Sequence, residues 1–224
     1  IGHCAGAGNT ITGSDNILVG RSAGFAITTA FNNIFMGTCA GANTGIGTEN
    51  TFIGSCAGLC TTDGKRSVFI GPNAGKCFTT GQVNIAIGAN AGCALTTNNT
   101  NTIVGNSAGK KTCSGSGNTL YGNNAGCAIN TGGCNTVVGR DAGKQITSGS
   151  HNNVFGHFAG CKLTQGSSNL LMGNCAGYCL CGNDNVMLGK SSGFNRTGTK
   201  YKRNVLIGNH AGVSAGTLAI GNMD

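Results

Sequence analysis

A glycine preceded by an apolar residue recurs along the whole chain, at positions 2, 20, 37, 54, 71, 88, 105, 122, 139, 156, 173, 189, 208 and 221. The nine spacings from Gly20 to Gly173 are all 17 residues. Four residues after nearly every anchor glycine stands another glycine, almost always preceded by alanine, as in Ile53-Gly54-Ser55-Cys56-Ala57-Gly58. Four residues before the anchor most repeats carry asparagine. A period this short, held throughout, means one small unit stacked on itself, so the repeat decides the fold before any local propensity does.

Within a repeat the segment before the anchor is β-branched and bounded by Asn and Gly, as in Asn50-Thr51-Phe52-Ile53-Gly54 and Asn135-Thr136-Val137-Val138-Gly139. That is the signature of a short strand, and no helical period competes with it. Glycines at the anchor, at four on and at ten on supply the corners, where the backbone needs positive φ or close approach. The sequence therefore predicts an all-β, single-chain β-solenoid, a β-roll or β-helix, of about 13 rungs of 17 residues over 1–224 as one continuous repeat region. At about 4.8 Å per rung it would form a rod on the order of 60 Å long.

Two apolar columns stand side by side on the strand. The residue before the anchor is Ile53, Ile70, Ile87, Val104 or Val138; its predecessor is Phe52, Phe69, Ala86, Ile103 or Val137. Successive strand residues point to opposite faces, so only one column can fill a narrow coil. The small alanines (Ala57, Ala74, Ala91, Ala108) and part of the column seven after the anchor (Ile27, Phe78, Leu95, Ile129, Ile146, Leu163) should complete the interior. Left in water, the other column would be a stripe longer than a monomer ordinarily exposes. Lateral self-association, most simply a parallel homotrimer about the long axis, would bury it. A charge at a core site such as Ile87 is expected to break stacking locally.

Composition narrows the function. The 42 glycines with one proline suggest low complexity, but 39% apolar residues held at set positions argue for a packed fold. Only 9% of residues are charged, with 14 Lys+Arg against 6 Asp+Glu, scattered apart from Lys65-Arg66, Lys110-Lys111 and Lys200 to Arg203. A basic row along one face would attract an anionic polysaccharide or an anionic cell surface. Nucleic acid is not expected as a partner, because the few aromatics sit at core positions. Neither is membrane insertion, because no apolar run approaches the ~18 residues of a spanning helix. The chain starts and stops in mid-repeat, at Ile1-Gly2 and Ile220-Gly221-Asn222, as a processed product or a segment of a longer fibrous protein would.

The motif Asn-Thr-apolar-apolar-Gly-x-x-Ala, at Asn50 to Ala57, Asn101 to Ala108, Asn118 to Ala125 and Asn135 to Ala142, resembles the head repeats of trimeric autotransporter adhesins. It is similar also to the Asn-Thr-rich repeats of tail-fibre proteins of phages and large viruses. The resemblance covers essentially the whole chain. It implies a left-handed β-roll in a parallel homotrimer that serves as a rigid shaft or adhesive head, outside the cell or on a cell or virion surface.

Thirteen cysteines call for an oxidising compartment or a metal. Equivalent positions on adjacent rungs lie about 4.8 Å apart, within the Cα range of a disulfide, so Cys39 with Cys56 and Cys60 with Cys77 are the candidate pairs. Cys93, Cys127 and Cys161 have no same-position neighbour on the next rung and alternate with Lys76, Lys110 and Lys144. The groups Cys175-x3-Cys179-x-Cys181 and His157 with Cys161 do not match the paired spacing of structural zinc, and no metal or other cofactor is expected. No serine or cysteine nucleophile stands beside a base, and no carboxylate pair is evident, so no catalytic residue is assigned and the chain is read as a non-enzyme. Asn98-Asn99-Thr100 and Asn195-Arg196-Thr197 are candidate glycosylation sequons, on Asn98 and Asn195. The Thr-Thr positions, such as Thr28-Thr29 and Thr79-Thr80, suit corner caps better than an ice-binding ladder, because the column is broken at Gly45, Cys113, Asn130 and Cys181. The expected function is a structural fibre or filament built by rung stacking, lateral association and end-to-end stacking; the alternative is an adhesin-type binding module.

Overall fold

The computed structural model describes residues 1–195 and 201–212 and the backbone of 219–222. Two compact units follow one another along the chain, Ile1–Ser114 and Gly115–Asp224. The first holds β1 (Ile17–Val19), β2 (Ile34–Met36), β3 (Thr51–Ile53), β4 (Val68–Ile70), β5 (Ile85–Ile87) and β6 (Thr102–Val104). Each strand pairs in parallel with the next, in register at the repeat, so Phe35 pairs with Phe52 and Phe52 with Phe69. The second holds β7 (Thr119–Tyr121), β8 (Thr136–Val138), β9 (Asn153–Phe155), β10 (Leu170–Met172), β11 (Val186–Leu188), β12 (Asn204–Ile207) and β13 (Ala219–Asn222). There β7 to β12 are parallel in the same way. No helix forms among the described residues. The fold is thus an all-β parallel solenoid, as the period requires. The thirteenth expected rung is different, because β13 pairs antiparallel with β12 and cannot extend a coil whose turns all run one way.

Burial along the strand shows which of the two columns faces in. The middle strand residue is buried on every rung from β2 to β12: Phe35, Phe52, Phe69, Ala86, Ile103, Leu120, Val137, Val154, Leu171, Met187 and Leu206. Phe35, Phe52 and Phe69 stack with ring centroids 4.9 Å apart, and Phe78 meets Phe69 edge-on at 5.0 Å. The alanines three after the anchor and Ile27, Phe78, Leu95, Ile129, Ile146 and Leu163 close the interior. Burial of one such side chain stabilises by about 1.5–3 kcal/mol, and the stacked arrangement repeats that gain on every rung.

Two devices turn the chain. Gly54 has φ 134°, and a Cβ there would lie 2.6 Å from the backbone of Gly71 on the next rung. The residue two after the anchor adopts the left-handed conformation on every described rung, for instance Asn73 at φ 57° and Ser107 at φ 55°. This conformation suits short polar side chains that bond locally, which accounts for the Ser, Asn, Asp and Cys found at that position.

An asparagine ladder lines the inside of the strand entrance. In the first unit the Asn33 backbone N–H and Nδ2 both donate to Asn16 Oδ1, and those of Asn50 to Asn33 Oδ1, at 3.0–3.1 Å. Asn50 Nδ2 also donates to Gly64 O at 2.7 Å. Asn118, Asn135, Asn152, Asn169 and Asn185 repeat this in the second unit. One buried side chain per rung thereby satisfies a backbone donor and a backbone acceptor that the tight corner would leave orphaned.

Candidate functional site

The outward face of the strands is where the chain presents an unusual surface. With the middle residue turned in, the residues before and after it must turn out. The outer columns are Ile17, Ile34, Thr51, Val68, Ile85 and Thr102 beside Val19, Met36, Ile53, Ile70, Ile87 and Val104 in the first unit. In the second they are Thr119, Thr136, Asn153, Leu170, Val186 and Val205 beside Tyr121, Val138, Phe155, Met172, Leu188 and Ile207. No charge interrupts either stripe. Tyr121 is 59% exposed, Met172 48% and Met36 40%, while Ile53, Ile70, Ile87, Val104 and Val138 are half-buried. Of the two columns singled out from sequence, the one with Phe52, Phe69, Ile103 and Val137 is therefore core, and the one with Ile53 and Ile70 is surface.

The corners do a different job. Thr28, Thr79, Thr96 and Thr147 donate their hydroxyls to the backbone carbonyls of Gly45, Thr96, Cys113 and Thr164 on the following rung, at 2.8–3.2 Å. These hydroxyls are consumed in bridging rungs, as corner caps should be, and do not form a free ladder facing water.

All thirteen cysteines carry free thiols, Cys39, Cys56, Cys60 and Cys77 among them. Same-position side chains on parallel, in-register rungs project side by side at about the rung spacing, whereas a disulfide needs Cβ atoms converging to about 3.8 Å. Burial, then the neighbouring Cys77, pushes the Cys60 and Cys93 thiols up from their ordinary value, and burial does the same for Cys161 and Cys175. These are protonated, poorly nucleophilic thiols at neutral pH. Among the described residues no three His, Cys, Asp or Glu side chains gather closely enough to hold a metal ion. His3 Nδ1 lies 3.1 Å from Cys4 Sγ at an exposed corner.

Asn98 is only 2% exposed. It occupies a corner position that is glycine on most rungs; its Oδ1 accepts from Thr96 N at 2.9 Å and its carbonyl from Asn84 Nδ2 at 2.8 Å. In the folded rung it is therefore not a surface acceptor for a glycan. Asn195 is exposed, and the rest of its sequon, Arg196 and Thr197, lies outside the described residues, as does Lys200.

The signal that sequence reading left unused is the company of Arg140. Its guanidinium donates to His157 Nε2 at 2.8 and 3.1 Å and lies 5.8 Å from the Phe158 ring, and Phe158, Tyr178 and Phe194 follow one another in ring contact on three successive rungs. Residues 16 to 20 apart in sequence become neighbours only if the coil closes at the repeat length, so the period itself could have revealed the cluster. No helix among the described residues is long and apolar enough to cross a membrane. No protein-family model matches the chain, no curated protein matches it and no solved structure matches it.

Proposed function

We propose that this chain is a non-enzymatic structural segment of an extracellular, cell-surface or virion-surface fibre, which associates laterally with copies of itself. The observation that carries this is the uncharged apolar stripe on the outward strand face, present in each unit at every described rung. A stripe whose side chains recur at rung pitch is best matched by another stripe of the same pitch, which favours a second copy of this chain over an unrelated globular partner. Three copies in parallel about the long axis, each a left-handed coil, is the arrangement that the resemblance to adhesin heads and tail fibres supports. Rigidity would come from strand ladders, stacked phenylalanines, and asparagine and threonine bridges, with end-to-end stacking of open edges as a route to filaments.

Native mass spectrometry and sedimentation velocity test this. The full chain should run as a trimer. The double variant Met36→Lys, Tyr121→Lys, altered at two of the most exposed stripe positions, should run as a monomer with an unchanged circular dichroism spectrum. A wild-type chain that stays monomeric at high concentration would sink the reading.

A further inference from the structure

The second unit carries a cation and aromatic patch on its corners, away from the outward strand face. Arg140, 61% exposed at its side chain, is pinned between His157, which accepts its hydrogen bonds, and the Phe158 ring, 5.8 Å from the guanidinium carbon. The Asn174 amide sits 3.3 Å from His157 Nδ1 on the following rung. The His157 and Phe158 rings lie 4.1 Å apart. Phe158 meets Tyr178 edge-on at 6.1 Å, Tyr178 stacks on Phe194 at 5.1 Å, and Lys162 Nζ lies 5.4 Å over the Tyr178 ring. Lys190 is exposed at the same repeat position as Arg140. The acidic group that faces this patch is Asp141, which is buried and held by Lys144 at 3.0 Å and by Arg140 at 3.7 Å. The surface left to a ligand is therefore positive.

Phe158 stands at the left-handed corner, φ 56°, where other rungs place Ser22, Cys39, Asn73, Asn124, Ser191 or His210. It is half-buried there, so part of its ring reaches the surface.

We propose that this patch binds a linear acidic polysaccharide laid along the coil axis, with its anionic groups on Arg140, Lys162 and Lys190. The geometry favours a polymer because Arg140, Lys162 and Lys190 stand on three different rungs strung along the axis, as anionic groups are strung along a sugar chain. It disfavours nucleic acid, because Tyr178 has Phe194 stacked on its ring and Lys162 over it, and Phe158 faces Arg140, which takes up ring faces that a base would stack on. The ring edges and cation stems offer apolar contact to sugar C–H groups, and the charges offer salt-dependent pairing with carboxylates. The patch adds a ligand to the proposed fibre but does not depend on lateral association.

Binding of polygalacturonate to the full chain tests the proposal, with neutral dextran, poly-L-glutamate and single-stranded DNA as comparators. Polygalacturonate should bind at least tenfold more tightly than any comparator. Lys162→Ala, a change at an exposed side chain, and Arg140→Ala should each weaken it about tenfold or more, with the melting temperature of Lys162→Ala unchanged. Phe158→Asn should weaken it while leaving the chain folded, because asparagine is accepted at this corner on other rungs. Equal binding of poly-L-glutamate or DNA, or wild-type affinity in Lys162→Ala and Arg140→Ala alike, would overturn it. Run also on the Met36→Lys, Tyr121→Lys variant, the measurement separates failure of this site from failure of self-association.

Discussion

Asp141 occupies a left-handed corner at φ 55°, one of only six acidic residues in the chain. Burial raises its pKa, but hydrogen bonds from Lys144 and Asn124 and the charges of Lys144 and Arg140 outweigh that and hold it below the usual carboxylate range. A depressed folded-state pKa adds stability that is present above the unfolded value of about 3.9 and is lost as pH falls through the folded value. Asp141→Asn keeps a residue type that suits the corner and removes the titration. Its melting temperature should therefore fall less than that of the wild type as pH drops below the unfolded carboxylate value of about 3.9; parallel acid limbs would show that Asp141 does not matter. Thr61 makes the opposite case: it is fully buried at a position filled by Ile, Leu or Phe on most rungs, and its hydroxyl has no partner. Thr61→Val keeps the shape and removes the orphan, so it should stabilise by about 1 kcal/mol and raise Tm by about 2–4 °C. Thiol chemistry reads the same local environments. Exposed Cys77, Cys113, Cys134 and Cys181 should alkylate first under native conditions and buried Cys161 last, and a reductant should leave Tm unchanged; a fall in Tm on reduction would reveal cross-linked rungs.

At the scale of the rung, the asparagine ladder does most to specify register. Asn152 Nδ2 donates to Asn135 Oδ1 at 3.0 Å and to Gly166 O at 2.8 Å, while its Oδ1 accepts from Asn169. Asn152→Ala would orphan the Gly166 carbonyl and the Asn169 N–H together. The expected loss is about 2–5 kcal/mol, with hydrogen-exchange protection falling first in β8 to β10. Protection unchanged in those strands would mean that backbone ladders alone carry the register. Much of this element was legible in sequence: Asn four before most anchors and Gly at most corners predict a bounded strand. The double role of the asparagine was not legible, because its second acceptor, Gly166 O, lies 14 residues on and is brought close only by closure of the coil.

For the whole chain, the decisive property is that a large apolar column faces outward in each unit. Ile87 belongs to that column, so Ile87→Asp, expected from sequence to break the core, should leave the fold intact and weaken association. Analytical ultracentrifugation and circular dichroism on one sample distinguish the two; loss of β signal would return Ile87 to the core. Stability should spread along each unit as a sum of near-neighbour terms, so local damage at one rung need not unfold distant ones.

By itself the sequence determined the period, the three-residue strands, the corner glycines and hence a parallel β-coil, because each of these depends only on backbone preferences repeated at a set spacing. It could not say which of two adjacent apolar columns turns inward: alternation forces them apart but is symmetric between them. The tertiary structure broke that symmetry through the way the corners close over Phe52 and not over Ile53. Closure also buried Asn98, held same-position thiols side by side, and carried Arg140, Phe158, Tyr178 and Phe194 from four rungs onto one corner. Contacts between rungs are set by the pitch and facing of the coil, which no single repeat contains.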